Sequence, residues 1–86
     1  MSKSVPTVGD MVLYHVTQTD KNDMAPHGNI AEVLPAVVVA DWGSNTVNLK
    51  VFTDGQGPDL WITSAMKGQS PGYWEWPYQY HNRMNS

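Results

Sequence analysis

Two apolar runs set three residues apart constrain the fold of this chain more than any other feature. The stretch "PAVVVADW", 35–42, carries three consecutive valines and reads as a buried central strand. "TVNLKVFT", 46–53, alternates: Val47, Leu49 and Val51 face one way, Asn48 and Lys50 the other, and Phe52 continues that second face. The intervening "GSN" is a turn short enough to make the two runs an antiparallel hairpin.

Three further runs repeat the pattern. "VGDMVLYHVT" opens with a Gly9-Asp10 turn and places Val12, Tyr14 and Val16 on one face, Met11, Leu13 and His15 on the other. "LWITS" has Leu60 and Ile62 on one side and Trp61 on the other, and "YWEWP" ends at Pro77, which cannot donate a ladder hydrogen bond. Residues 17–34 are polar and punctuated by Asp, Asn, Pro and Gly, which predicts a long excursion with one turn of helix in "NIAEVL". A loop of that length in a compact domain is a candidate site on length alone. The expected architecture is all-β, a small five-stranded antiparallel SH3-like barrel with a long first loop. Residues 1–7 form a flexible lead, 8–77 the barrel and 78–86 a tail. Closing the sheet removes edges that a chain this short has little else to cover. An OB-type barrel fits less well, because no segment supplies its helix between strands.

Eighty-six residues make one domain with a thin stability margin. The absence of cysteine excludes a disulfide framework, a thiolate zinc site and a cysteine nucleophile, so the core rests on large side chains, four tryptophans among them, or on a partner chain. A homo-oligomer is therefore expected. The net charge is -3, with Lys3, Lys21, Lys50, Lys67 and Arg83 scattered. No basic stripe exists to bind duplex nucleic acid. No apolar run reaches membrane-span length, and a soluble, intracellular protein is expected.

The closing motif Gly72, Tyr73, Trp74, Glu75, Trp76, Pro77, together with "VGDMVLYHV", "PAVVVADW" and "TVNLKVFT", resembles a group of small proteins encoded by tailed bacteriophages. Those end in a Gly-Thr-Trp-His-Trp-Pro-like motif, so Tyr73 stands for the usual threonine and Glu75 for the usual histidine. The resemblance spans residues 8–77. It implies a phage or prophage origin, a barrel fold and a place in the host cytoplasm, and it supplies no catalytic residues.

Trp74 and Trp76 lie two apart and share a strand face, which reads as a plug at one end of the barrel; stacking on a base, a ring or a proline is the competing role. Tyr14 and Phe52 complete the expected core aromatics. Glu75 points to the opposite face, toward solvent or a cation. Trp42 and Trp61 are the expected surface aromatics, and Tyr73, Tyr78 and Tyr80 suit an interface. His27, in the long loop beside Gly28, is a candidate ligand contact, and Lys67, Arg83 or Lys50 are candidates to meet phosphate. The three histidines have no metal-ligand spacing, and Asp20, Asn22 and Asp23 lack the glycine and glutamate offsets of a calcium loop, so no metal and no cofactor are expected.

No nucleophile–base pair or phosphate-cradling loop is visible, so the chain is not expected to be an enzyme. The expected function is non-catalytic binding that counteracts host defence by capturing a host protein or a nucleotide-derived signal. A virion-associated adaptor that binds an extended or proline-rich peptide is the alternative.

Overall fold

The computed structural model describes residues 5–24, 31–53 and 58–85. Five strands, β1 (Met11–His15), β2 (Val33–Asp41), β3 (Val47–Val51), β4 (Leu60–Ala65) and β5 (Trp74–Glu75), form one antiparallel sheet in the order β4-β3-β2-β1-β5. Two short helices accompany them, α1 (Gln18–Met24) in the first connection and α2 (Pro77–Met84) after β5. The all-β expectation holds. The sheet curls on itself, and β5, beside β1, also meets the segment that follows β4. There the Trp74 amide donates to the Met66 carbonyl (3.0 Å) and the Gly68 amide to the Trp74 carbonyl (2.8 Å). This closing bridge, Lys67 to Trp74, is parallel, unlike the five-stranded ladder. Irregularities bend the strands at Val38–Ala40 of β2 and opposite Val47–Leu49 in β4, where Ser64 takes a left-handed backbone (φ 54°).

The alternation read from the sequence sets the inner face. Val12, Tyr14 and Val16 meet Ala36 and Val38, then Val47, Leu49 and Val51, and Trp74 and Trp76 fill the end of the barrel. Burying these side chains stabilises the fold at about 1.5–3 kcal/mol for each full aliphatic chain removed from water. Tyr14 is fully buried, and its hydroxyl donates to Asp20 Oδ2 (2.6 Å). Burial, then this acidic neighbour, pushes the phenol pKa well above its ordinary value.

The first connection differs from expectation. The helix occupies 18–24 rather than "NIAEVL"; Val33 and Leu34 already belong to β2, and residues 29 and 30 lie outside the described residues. The cause is a reciprocal cap. The Asp20 amide donates to Thr17 Oγ1 (3.0 Å), and the Thr17 amide donates to Asp20 Oδ2 (3.1 Å). Asp20 thus starts α1 and ties it to β1 through Tyr14. The stretch read as a tail also holds a helix. Pro77 ends β5 and occupies the first turn of α2, where its missing N–H costs nothing.

Phe52 corrects the expected core. It is 41% exposed, because it continues the Asn48 and Lys50 phase onto an outer face that nothing covers at that end among the described residues.

Candidate functional site

The sequence-nominated residues separate into two groups. The first is the outer face of β3 and β4. Lys50 pairs with Trp61 across the strands, and Val37 of β2 lies on the other side of Lys50. Trp61 is 61% exposed and Trp42 65% exposed. Trp42 stands at the start of a tight turn whose next three residues, Gly43, Ser44 and Asn45, all have positive φ. The turn is closed by the Trp42 amide on the Thr46 carbonyl and the Thr46 amide on the Gly43 carbonyl, each 2.9 Å.

Asn48, which the sequence reading left unassigned, fixes this face. Its Oδ1 accepts the Trp42 indole N–H (2.9 Å) and the Ser64 amide (2.9 Å), so one side chain holds the tryptophan and the β4 irregularity together. Replacing Asn48 by alanine is expected to cost about 1–2 kcal/mol, since two hydrogen bonds are lost at roughly 1 kcal/mol each. Urea denaturation measures the cost, and the Trp42 indole proton should move to a solvent-like NMR shift. An unchanged indole signal would show that Asn48 does not hold the ring.

The second group surrounds β5. Glu75 lies opposite Leu13, on the face away from Trp74, as the alternation predicts. It does not reach solvent: it is 2% exposed, because α2 folds back over it and brings a cation. Arg83 grips it with two hydrogen bonds, Nη1 to Oε1 at 2.8 Å and Nη2 to Oε2 at 2.7 Å. The Glu75 Oε2 is also bonded to His15 Nε2 on β1. The Arg83 hydrogen bonds hold the Glu75 carboxyl below its ordinary pKa against the opposing effect of burial, with His15 adding to the lowering. Glu75 in return raises the pKa of Arg83. Tyr80 packs edge-on to His15 and lies under the Arg83 guanidinium, with ring centroid and guanidinium carbon 5.6 Å apart.

Lys67, from the connection between β4 and β5, opens onto the same region as Arg83. Tyr73 belongs there too. Its ring rests on Gly68, where an added Cβ would stand 2.6 Å from Tyr73 Cδ2 and would have to displace the ring. Tyr78 is partly exposed on the first turn of α2. His27 lies outside the described residues. Among the described residues no group of acidic residues and histidines is arranged to hold a metal, and Asp20 serves as the α1 cap instead. No helix of the described residues is long and apolar enough to cross a membrane.

Trp74 and Trp76 are both buried and meet edge to face, with centroids 5.1 Å apart at 85°. Comparison with protein-family models, curated proteins and solved structures finds no match to this chain.

Proposed function

We propose that this protein is a non-catalytic binding module that captures a protein partner on the outer face of β3 and β4. One observation carries this reading: Trp42, Trp61 and Phe52 are all substantially exposed along the outer side of β3 and β4, Trp42 at the Asn48 end, Trp61 opposite Lys50 and Phe52 beyond the far end of β3. Exposed aromatic surface of this kind marks interaction sites, and tryptophan dominates the energetic centres of interfaces. Asn48 strengthens the argument, because a ring already held in place loses less freedom when a partner arrives. The resemblance to tailed-phage proteins supports a setting in the host cytoplasm, with a host defence protein as the captured partner.

The position of β4 favours a second reading. It is the last strand of the ladder, and an extended peptide adds to such an edge through main-chain hydrogen bonds, as a virion-associated adaptor would require.

The two tryptophans provide the test. Trp42→Ala and Trp61→Ala are expected to change stability by no more than about 1 kcal/mol, as at other exposed positions. The double variant should lose the proteins that the wild-type chain retains from host lysate. Retention of the same proteins by a folded double variant would refute capture through this face. Native mass spectrometry separates a captured protein from a second copy of the chain on the same surface.

A further inference from the structure

The connection from β4 to β5 and helix α2 enclose an open cleft of about 520 Å³, which neither Trp42 nor Trp61 lines. One wall is Lys67, Gly68 and Gln69; the other is Gln79, Asn82 and Arg83, whose spacings of three and four put them on one side of the helix. Glu75 lies at its floor. Every one of these residues is polar or glycine. Two cations against one carboxylate leave the cleft locally positive in a chain whose net charge is -3.

The buried carboxylate is already committed. Both of its oxygens are engaged by Arg83, and one also by His15. This arrangement fixes the guanidinium while using only one N–H on each terminal nitrogen, and the remaining donors diverge from Glu75. Lys67 forms no ion pair among the described residues and is exposed. Glu75 occupies the Nη1–Nη2 fork of Arg83, and the guanidinium keeps its Nε–H and the second hydrogen of each terminal nitrogen. With the separate Lys67 ammonium on the facing wall, these donors suit an oxyanion that accepts from two sides at once, as the several free oxygens of a phosphate do. The amides of Gln69 and Gln79 offer donors and acceptors for hydroxyls, beside the aliphatic stems that make up most of the cleft's exposed lining.

We infer that this cleft binds a small phosphorylated sugar, with its phosphate met by Lys67 and Arg83 and its hydroxyls met by the amide side chains. The inference is independent of the aromatic face.

The test is a titration of the ¹⁵N-labelled full chain, in phosphate-free buffer, with inorganic phosphate, ribose 5-phosphate and ribose. Ribose 5-phosphate should give saturable shifts in the amides of residues 67–69 and in the Gln79 side chain. It should bind more tightly than inorganic phosphate, and ribose alone should give no shift. Lys67→Gln removes a side chain that forms no ion pair among the described residues and should weaken binding about tenfold, the scale of one charge-assisted hydrogen bond. Gln79→Ala should weaken ribose 5-phosphate more than inorganic phosphate. Trp61→Ala should leave all these affinities unchanged, so failure here and failure of the aromatic face are distinguishable. Absence of saturable shifts with either phosphate compound, or equal affinity in Lys67→Gln, would overturn the phosphate site. Equal affinity for inorganic phosphate and ribose 5-phosphate would overturn the sugar assignment.

Discussion

Replacing Trp74 by alanine is expected to destabilise the protein by about 3–5 kcal/mol, the range for truncating a fully buried large aromatic. A domain of this size has roughly 4–13 kcal/mol in total, so the loss is a large share of its stability. The side chain is fully buried, its indole N–H donates to the Asn45 carbonyl (2.9 Å), and its backbone makes both hydrogen bonds of the closing bridge. Trp76 provides the internal comparison. It is also buried, but its indole N–H has no partner among the described residues. A buried donor without a partner is itself a cost. Trp76→Phe should therefore be tolerated better than Trp74→Phe, which strands the Asn45 carbonyl. Urea midpoints for the three variants decide the matter. Near-neutral Trp74→Ala, or a larger loss at Trp76→Phe than at Trp74→Phe, would contradict this account of the core.

The second large effect belongs to Glu75. Glu75→Gln is expected to cost about 1.5–3 kcal/mol near neutral pH, the range for hydrogen bonds to a charged group. It should also release α2, which contributes no fully buried side chain of its own. Amide exchange across residues 77–84 measures that release. Acid provides the complementary test. The folded carboxyl titrates below the ordinary value of 4.5, so its contribution is present above that value and disappears as pH falls through the folded pKa. The stability gap between wild type and Glu75→Gln should therefore narrow on acidification from about pH 6 to 3. A gap that stayed constant would mean that the ion cluster does not hold the helix.

These two predictions draw on parts of the chain that were unequally legible. The inner faces of β1 and β3 were readable because a strand projects alternate residues to opposite sides, and Val47, Leu49 and Val51 show that period without interruption. The exposure of Phe52 is not legible in the same way, because alternation gives the side of the sheet but not whether that side is covered. Helix α1 has a local signal in Thr17 and Asp20, a threonine followed three residues later by an acid, but no apolar period accompanies it in this polar segment. Helix α2 had less to read. Pro77 marks its start, but Tyr78 to Met84 carry no apolar stripe, and the helix is held by Arg83 on Glu75 rather than by hydrophobic burial. Lys67 and Arg83 were nominated for their charge alone. Their meeting depends on barrel closure and on the helix folding back, two long-range events that leave no mark on local sequence.

The pairing of β5 with β1 has a consequence for biosynthesis. His15 and its partner Glu75 are 60 residues apart, so the ribosome makes the first strand long before the last. At about 5–20 residues per second the interval is roughly 3 to 12 seconds. During that time β1 can pair with β2, but the flank that receives β5 stays open to any other strand in the vicinity. The two tryptophans that plug the barrel are added only at the close of this interval. Vectorial synthesis therefore produces the aggregation-prone edge first and its protection last, and slowing translation before residue 74 should lower the soluble yield without altering the finished molecule.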